Sequence, residues 1–347
     1  MSSSYDIYVF TTDRDYKENR PYNGVLCNVW INNNNIYSIH YTSPDKQNYR
    51  KIKSIIADIH PDFIYINSMF SFQFAILPLI ILRRSKFTGK IVLAPRGMLK
   101  PSALNYKSYK KTIFLHLFKL LGFSDMVTFQ ATDHNECVDI KATFGNRPSI
   151  DLISNIPYFS PETSTLEKKE GQCTMAFVGR IHPIKGLMYL LNALESVKGF
   201  VYLTIYGLIE DESYYDACKK KIDTFNSNIK VSFEENISFV ELQSDLLNSH
   251  FFVLPTQGEN FGHAIFEAMS AGLPVLISDQ TPWKDLEQRK IGWDIPLEES
   301  DRFKEILGAM VKMDHNEYTL WSSNAKKFAF DYFNKSDIKS QYQKLFN

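Results

Sequence analysis

Residues 251–277 read FFVLPTQGENFGHAIFEAMSAGLPVLI, which contains two short apolar runs with a helical pattern between them. The short apolar run Phe251–Leu254 leads through a loop containing Gly258 into a helical pattern over His263–Ala271. A second apolar run, Pro274–Ile277, follows the helix. Short, continuous apolar runs are typical of parallel strands that are covered on both faces. The stretch therefore predicts a β-strand, a helix and a second, parallel β-strand.

The same alternation of apolar runs and helical patterns extends over the whole chain. One further helical pattern covers Leu187–Val197. The other apolar runs are Ile7–Phe10, Phe63–Ile66, Ile91–Ala94, Met126–Phe129, Thr174–Val178 and Tyr202–Tyr206. Alternation of this kind predicts the α/β fold class, with doubly wound parallel sheets.

The domain organisation follows from the length and from one polar segment. A chain of 347 residues is long enough for about two domains. Segment 161–172, PETSTLEKKEGQ, contains Pro and Gly and lacks strand or helix periodicity, so we expect a linker there. This linker would separate a domain over residues 1–160 from a domain over residues 173–325. Residues 326–347 carry aromatic and aliphatic residues at helical spacing, and we expect a helix that crosses back to the first domain.

The formal net charge is zero, with 39 basic and 39 acidic residues. Neutrality argues against a general nucleic-acid binder, which usually carries a clear basic excess. The charge is unevenly spread, because residues 1–170 carry 21 bases and 15 acids whereas residues 171–347 carry 18 and 24. The N-terminal sequence MSSSYDIYVF has neither the positive charge nor the long apolar run of a secretion signal. We therefore expect a cytoplasmic protein.

One block of the N-terminal half is strongly basic. Residues 63–124 contain ten Lys or Arg and not one Asp or Glu. Within this block, residues 83–121 combine bases with apolar residues at near-helical spacing. A basic amphipathic helix is typical of docking on an anionic membrane surface. The alternative is a helix packed in the core with a solvated lysine face, and the residues alone leave both interpretations open.

The first cluster of candidate functional residues lies in the sequence FVGRIHPIKGL, residues 177–187. A strand is expected to end at Val178, and a helix to begin after Gly186. Arg180 and Lys185 would then lie at the carboxyl end of a parallel strand, where α/β sheets bind their ligands. Two cations beside a helix N-terminus suit a diphosphate. The alternative is an ordinary turn with two solvated bases.

The second cluster lies in the stretch quoted first. Glu259 is in the loop that contains Gly258, and Glu267 is on the helix, four residues after His263 and so on the same face. Carboxylates accept paired hydrogen bonds from vicinal hydroxyls, which is how proteins commonly hold sugar rings. The N–H groups at the start of the helix suit phosphate or sugar oxygens. The cluster predicts a site for a sugar or a nucleotide.

The sequence motifs give little support for a metal site or for redox chemistry. Asp13-Arg14-Asp15 has the DxD form of a metal motif, but nothing around it supports that role, and we interpret it as a solvated loop. The histidines lack HxxH or HExxH spacing. No GxGxxG follows the first strand, which counts against a nicotinamide enzyme. We expect neither a metal nor a cofactor.

Together the two clusters resemble the donor-site signature of glycosyltransferase family 4, the retaining enzymes of the GT-B fold. The signature is a G-R-x4-K-G turn followed by an E-x7-E motif, here Gly179–Gly186 and Glu259–Glu267. The segments that begin at Pro95, Phe129 and Thr281 are similar to the bacterial surface-polysaccharide branch of this family. The resemblance covers essentially the whole chain. It implies two Rossmann-like domains facing across a cleft, the first for the acceptor and the second for a nucleotide sugar.

The resemblance also implies a role for each residue of the donor site. Arg180 and Lys185 would neutralise the diphosphate of the nucleotide diphosphate sugar and so stabilise the leaving group. Glu267 would hold the ribose hydroxyls, and Glu259 the hexose hydroxyls. Backbone N–H groups and other contacts to the substrate are expected at Asn260, Phe261, Gly262 and His263.

In the N-terminal half, the resemblance points to three further positions. The loop with Asn23 and Gly24 matches the place of the family's glycine loop, which closes over the donor phosphates. Many relatives carry a histidine at the position of Arg96, which cannot act as a base. We expect Arg96 to stabilise phosphate or to orient an acceptor hydroxyl. Gln130 also stands where the family usually has histidine.

The activity that the resemblance implies is retaining transfer of a hexose to a lipid-diphosphate-linked glycan of a surface polysaccharide, at the inner face of the plasma membrane. In such an enzyme the donor's own phosphate oxygen takes the acceptor proton. Catalysis then rests on positioning and on electrostatic stabilisation of the leaving group. Two alternatives remain, which are a nucleotide-sugar epimerase of the same fold and a catalytically inactive glycan-binding subunit.

Overall fold

The computed structural model of the protein describes residues 5–15, 18–34, 36–105, 108–235, 237–335 and 338–346. The chain divides into two compact units. Unit 1 comprises Met1–Ser154 and Asp337–Asn347, and unit 2 comprises Asn155–Ser336. Among the described residues, no helix is both long enough and apolar enough to cross a membrane.

Unit 1 is built from strands and helices that mostly alternate. Its strands are β1 (Tyr8–Thr12), β2 (Trp30–Asn33), β3 (Tyr37–Thr42), β4 (Phe63–Asn67), β5 (Lys90–Ala94), β6 (Thr128–Ala131) and β7 (Ser149–Leu152). Its helices are α1 (Tyr49–Ile59), α2 (Leu77–Arg84), α3 (Pro101–Asn105), α4 (Ser108–Leu120), α5 (His134–Phe144) and, from the C-terminus, α12 (Ile338–Leu345). One 3₁₀ turn, Pro44–Lys46, and one π-helical turn, Phe72–Ile76, complete it.

The strands of unit 1 form two sheets. In the larger sheet, β4, β5, β6 and β7 lie side by side and all are parallel. In the smaller sheet, β3 pairs in parallel with β1 and antiparallel with β2. The buried residues beneath the larger sheet are largely aromatic and aliphatic, and they include Phe118, Phe123 and Phe129. Because β4, β5 and β6 are parallel neighbours, their carboxyl ends lie along one edge of this sheet.

The described residues of unit 2 form one sheet. Its strands are β8 (Gln172–Val178), β9 (Phe200–Tyr206), β10 (Ile229–Glu234), β11 (Phe251–Leu254), β12 (Val275–Ser278) and β13 (Gly292–Ile295). Its helices are α6 (Leu187–Leu194), α7 (Glu212–Ile222), α8 (Phe239–Leu246), α9 (His263–Ser270), α10 (Ser300–Lys312) and α11 (His315–Lys335), with a 3₁₀ turn at Pro183–Lys185.

All pairings in this sheet are parallel, and the strand order is β10-β9-β8-β11-β12-β13. The chain thus starts in the middle with β8, runs outward to β10, and returns to β11 on the other side of β8. Open sheets of this kind bind ligands where the strand order reverses, at the carboxyl ends of the two central strands. In unit 2 those ends belong to β8 and β11. The α/β fold class that the sequence predicts is confirmed.

Several helices begin where a side chain caps the first turn. Asn48, Asp133 and Asp211 each accept a hydrogen bond from a backbone N–H of the following helix, namely of α1, α5 and α7. At α8, Ser238 and Glu241 form a reciprocal capping box. Caps of this kind satisfy N–H groups that lack an acceptor within the helix. The helix starts are therefore determined locally by the sequence.

Segment 161–172, where the sequence predicts a linker, belongs to unit 2. The Ser164 hydroxyl donates to the carbonyl oxygen of Leu247 at 2.7 Å. The buried Lys168 ammonium donates to the carbonyl oxygens of Val311 and Met313 at 3.0 and 2.9 Å. Ser164 and Lys168 are thus buried and satisfied within the unit, whereas most other residues of the segment are exposed. The division between the units lies earlier, between Ser154 and Asn155.

The C-terminal segment, expected as one helix over 326–347, forms parts of two helices. Helix α11 continues to Lys335 in unit 2, and α12 belongs to unit 1. In α12, Tyr342 and Leu345 pack in one buried cluster with Val92 and Ile153. The last helix is therefore part of the core of unit 1.

Candidate functional site

The loop after β8 presents Arg180 and Lys185 at the carboxyl edge of the unit 2 sheet. The N–H of Gly179 donates to the carbonyl oxygen of Tyr206 at 2.9 Å, which keeps the loop attached to β9. Lys185 ends the 3₁₀ turn. Gly186 then begins α6 with φ at +74°, a left-handed conformation that glycine adopts without strain.

This loop is joined to the loop after β11. A Cβ atom on Gly186 would stand 1.9 Å from the carbonyl oxygen of Pro255, so only glycine fits there. The N–H of Gln257 donates to the carbonyl oxygen of Ile184 at 2.7 Å, and the Thr256 hydroxyl donates to the same oxygen at 3.1 Å. The two loops therefore form one rigid edge where the strand order reverses.

At this edge, Lys185 and Glu259 form an ion pair. The Lys185 Nζ atom lies 2.5 Å from Glu259 Oε1, and the two side chains are 17% and 15% exposed. The N–H of Glu259 donates to the carbonyl oxygen of Gln280 at 3.0 Å, which holds the carboxylate-bearing loop in place. Lys185 is therefore not the solvated base of an ordinary turn.

Arg180 also faces a carboxylate, which the sequence analysis did not single out. Its Nη1 donates to Glu210 Oε2, and the arginine side chain remains 60% exposed. Glu210 follows β9, whose carboxyl end neighbours that of β8. An acidic residue after the strand next to β8 was the available signal. Both cations proposed for a diphosphate are thus held by carboxylates.

The start of α9 is fixed by aromatic packing. Gly262 caps the helix with φ at +75°. The buried Phe261 ring lies 5.2 Å from the Trp283 ring, and Trp283 Nε1 donates to the Phe261 carbonyl oxygen at 2.7 Å. Asn260 is half-buried beside it, whereas His263 is exposed. The first N–H groups of a helix have no acceptor within it, so this rigid helix start suits an anionic or hydroxyl oxygen.

Glu267 lies on α9 and is buried, with 9% of its surface exposed. Burial raises the pKa of its carboxyl group, and a hydrogen bond from Gln243 opposes that shift. Gln243 Nε2 donates to Glu267 Oε2 at 3.1 Å. In the described part of the chain, the Gln243 side-chain oxygen is buried and has no hydrogen-bond partner. Gln243 lies on α8, and no motif in the sequence pointed to it.

In unit 1, Arg96 lies just beyond the carboxyl end of β5. Its backbone has φ at +55°, which is unusual for a residue other than glycine. Arg96 Nε donates to Asn67 Oδ1 at 3.0 Å, and Nη2 donates to the Tyr65 hydroxyl oxygen at 2.7 Å. Gln130 is fully buried at the end of β6 and accepts a hydrogen bond from the same Tyr65 hydroxyl at 2.5 Å.

The two remaining N-terminal candidates lie in an exposed turn. Asn23 and Gly24 are both exposed, and a Cβ atom on Gly24 would have nothing within 4 Å. The N–H of Tyr22 donates to the Asp13 carbonyl oxygen at 2.7 Å, so the turn is tied back to the end of β1. The structure shows no contact that assigns a role to this turn among the described residues.

The acidic side chain at the start of the DxD sequence makes its contacts within the protein. Asp13 is 1% exposed, and its carboxylate accepts a hydrogen bond from Arg14 Nε at 2.7 Å. This hydrogen bond lowers the pKa of Asp13. Over the residues that the structure describes, no three His, Cys, Asp or Glu side chains are grouped as they would be around a metal ion.

Residues 161–328 match the glycosyl transferases group 1 family model. No curated protein matches the chain in sequence. The glycosyl transferases group 1 region includes Arg180, Lys185, Glu259 and Glu267, whereas Arg96 and the turn with Asn23 and Gly24 lie outside it.

Solved structures match both units. Sucrose-phosphate synthase from Thermosynechococcus elongatus has a TM-score of 0.71 at 15% identity, over 99% of this chain and 89% of that one. WaaG, a glycosyltransferase involved in lipopolysaccharide biosynthesis, has a TM-score of 0.61 at 15% identity, over 98% of each chain. Anabaena HepE in complex with UDP and glucose has a TM-score of 0.65 at 15% identity, over 88% of this chain and 84% of that one. The GT-B fold that the sequence predicts is confirmed.

Proposed function

We propose that the protein is a glycosyltransferase that moves a hexose from a nucleotide diphosphate sugar to a glycan, with retention at the anomeric carbon. The observation that carries this proposal is the contact of Lys185 with Glu259 where the strand order of unit 2 reverses. A cation for phosphate and a carboxylate for sugar hydroxyls meet there on one rigid edge. The family match over residues 161–328 supports the same activity.

Each charged group of the edge has a role in holding the donor. Lys185 and Arg180 neutralise the diphosphate, which competes for them with Glu259 and Glu210. Once Lys185 turns to phosphate, Glu259 accepts hydrogen bonds from the hexose hydroxyls. Glu267, buried on α9, accepts hydrogen bonds from the ribose hydroxyls. HepE, which shares the fold, was crystallised with UDP and glucose.

The reaction needs no protein base in this account. The bond between the anomeric carbon and the donor phosphate oxygen breaks, and the acceptor hydroxyl attacks the anomeric carbon from the same face. The departing phosphate oxygen takes the hydroxyl proton. Lys185 and Arg180 stabilise the negative charge that grows on the nucleoside diphosphate, which is the role a metal ion has in other enzymes. We therefore propose that no metal is required.

For the acceptor, we propose a lipid-diphosphate-linked glycan of the surface-polysaccharide type, bound by unit 1. The basic block of residues 63–124 attracts its negative charge. Arg96 supplies a fixed guanidinium at the carboxyl edge of the larger sheet. WaaG, which matches the full length of the chain in fold, acts in lipopolysaccharide biosynthesis.

We also propose that α4 rests on the inner face of the plasma membrane. One side of α4 is buried at Leu115 and Phe118. Another side exposes apolar residues along the helix, with Tyr109 at 78%, Leu117 at 49% and Leu120 at 74%. Lys110 and Lys119 of α4 are exposed as well, and the exposed Arg83 of α2 donates to the carbonyl oxygen of Leu121, just after α4. Core packing alone leaves the stripe unexplained, whereas an anionic membrane would bind both its apolar and its basic residues.

The proposed activity is tested by incubating the purified protein with nucleotide diphosphate sugars and with a membrane extract or a synthetic lipid-diphosphate glycan. Mass spectrometry should show an acceptor that has gained one hexose and a released nucleoside diphosphate. A changed sugar nucleotide formed without acceptor would instead identify an epimerase. Failure to transfer or hydrolyse any donor would favour an inactive glycan-binding subunit.

A further inference from the structure

A chain of hydrogen bonds, partly buried at Arg96 and Tyr65 and buried at Gln130, connects Arg96 to the C-terminal helix. Arg96 Nη2 donates to the Tyr65 hydroxyl oxygen at 2.7 Å, and the Tyr65 hydroxyl donates to Gln130 Oε1 at 2.5 Å. Gln130 Nε2 donates to the carbonyl oxygen of Ile153 and to the hydroxyl oxygen of Tyr342, both at 2.9 Å. The chain thus runs from the edge of the larger sheet of unit 1 through its core to α12.

The direction of each hydrogen bond in this chain is determined. The carbonyl oxygen of Ile153 can only accept, so the Gln130 amide must turn its NH₂ group toward it. Gln130 Oε1 then faces Tyr65, whose single O–H must donate to it. The Tyr65 oxygen is left to accept from Arg96. Burial raises the pKa of Tyr65, which keeps its proton in place.

The backbone of Arg96 is held independently by a buried carboxylate. Glu136 is completely buried, and its Oε1 accepts from the N–H of Gly97 at 2.6 Å. Its Oε2 accepts from the N–H of Thr132 at 2.8 Å and from the Thr132 hydroxyl at 2.7 Å. The loop after β5 is therefore tied to the loop after β6. Side chain and backbone of Arg96 are fixed by different groups.

The same edge contains unusual backbone conformations. Ser68, which follows β4, has φ at +118°, and Arg96, which follows β5, has φ at +55°. Non-glycine residues in such conformations are strained and persist where the surroundings impose them, often at functional sites. The two hydrogen bonds of Arg96 use two of its five N–H groups. Among the residues that the structure describes, no hydrogen-bond partner is seen for the other three, so they remain for a ligand.

We propose that Tyr65, Gln130 and Tyr342 are positioning residues, which fix the Arg96 guanidinium for a phosphate oxygen of the glycan acceptor. This inference rests on the proposed function. It gives α12 a role in acceptor binding by unit 1, because Tyr342 orients the Gln130 amide and that amide orients Tyr65. It also explains why a glutamine stands at position 130, since an amide offers both a hydrogen-bond acceptor for Tyr65 and a donor for Tyr342.

The positioning is tested first without any activity. Phenylglyoxal modifies free guanidinium groups, and peptide mass spectrometry of the full chain gives the rate at Arg96. Tyr65→Phe and Gln130→Met should raise this rate about tenfold, the equivalent of one hydrogen bond to a charged group. Tyr342→Phe should raise it by a smaller factor. The control Tyr49→Phe removes a hydroxyl in unit 1 outside the network, and should leave it unchanged.

Protection by inorganic pyrophosphate tests the ligand. Pyrophosphate should slow the labelling of Arg96 in the wild-type protein, and slow it less in Tyr65→Phe. Equal labelling of Arg96 in wild type, Tyr65→Phe and Gln130→Met would overturn the proposal, and so would the absence of any protection. These results stand whether or not transfer is ever observed, so they are distinct from a failure of the proposed function.

A double-mutant cycle then separates positioning from stability. With the glycan acceptor, Tyr65→Phe should raise KM for the acceptor about tenfold in the wild-type background, with donor KM unchanged. In an Arg96→Ala background the same change should alter KM less than about twofold, because nothing is left to position. Equal losses in both backgrounds would show that Tyr65 acts only on the fold, and would contradict the proposal.

Discussion

Lys185 Nζ lies 2.5 Å from Glu259 Oε1, although 74 residues separate the two in sequence. The contact exists because β8 and β11 are neighbours in the sheet, so the loops that follow them meet. Gly186 allows the meeting, since a side chain there would collide with Pro255. The cation proposed to bind phosphate and the carboxylate proposed to bind the sugar therefore form an ion pair with each other.

The first prediction concerns this pair. Lys185→Ala and Glu259→Ala should each lower the transfer rate about 100-fold or more, because each removes a charge that we propose contacts the donor in the transition state. Both variants should remain folded, as judged by circular dichroism and Tm. Lys304→Ala, which removes a partly exposed surface lysine of α10, serves as the control. Wild-type rates in either soluble site variant would remove Lys185 and Glu259 from the active site.

The second prediction concerns the junction of the two loops. Gly186→Ala should lower the free energy of unfolding by about 3 kcal/mol, because the added Cβ meets a backbone carbonyl and φ is positive. Gly308→Ala is the matched control, since Gly308 lies in α10 with nothing within 4 Å of the added atom. It should leave stability unchanged or raise it by up to about 1 kcal/mol. Denaturant unfolding measures both, and equal effects would mean that the loops do not meet as described.

The third prediction concerns pH. His250 is buried, its Nδ1 accepts from the N–H of Thr174 at 3.0 Å, and its Nε2 faces the carbonyl oxygen of Glu167 at 3.2 Å. Burial lowers the pKa of His250 from 6.5 to about 4. Between pH 6.5 and about pH 4, His250 takes up a proton in the unfolded chain but not in the folded chain. The free energy of unfolding therefore falls as the pH drops from 6.5 toward 4.

Between about pH 7.5 and about pH 5, this histidine should account for a loss of about 2 kcal/mol in the free energy of unfolding. Burial raises the pKa of Glu267, which acts in the opposite direction, so the comparison must isolate the histidine. His250→Asn does so, because the variant should lose about 2 kcal/mol less than the wild type over this range. Parallel pH profiles for the two proteins would show that His250 is not neutral in the folded state.

The fourth prediction concerns the apolar stripe of α4. The double variant Leu117→Glu, Leu120→Glu should bind vesicles of phosphatidylethanolamine and phosphatidylglycerol at least about tenfold more weakly than the wild type. Leu320→Glu changes a comparably exposed leucine of α11, 47% exposed, and should bind as the wild type does. Cosedimentation at low and high salt measures the binding. Wild-type binding by the double variant would leave α4 without a membrane role.

Much of the fold could be predicted because its central strands are buried on both faces. Strand β11 and helix α9 begin at the predicted residues, Phe251 and His263. Strands β2, β3, β7, β10 and β13 were not predicted, since each mixes polar with apolar residues and all except β3 lie at a sheet edge. Segment 161–172 was interpreted as a linker because sequence polarity does not show that Lys168 is satisfied by buried carbonyls.

The candidate site was predictable where spacing carries the chemistry. Lys185 and Glu259 follow central strands, so their types and positions alone pointed to a ligand. Glu210 and Gln243 were missed, because their contacts depend on how β9 and α8 place their ends beside the motifs. The network around Gln130 was missed for the same reason, since it joins residues that are 212 positions apart.

Binding of a nucleotide-sugar diphosphate at the unit 2 edge is the step on which the proposed function depends. It is tested most directly by a thermal-shift measurement with UDP, GDP, ADP and CMP on the wild type and on Lys185→Ala. At about 100 times Kd, one nucleoside diphosphate should raise the wild-type Tm by about 5 °C, because a ligand of the native state stabilises it by mass action. The same ligand should shift Lys185→Ala little, and CMP should shift neither. No shift with any nucleoside diphosphate, or an equal shift in Lys185→Ala, would contradict the account.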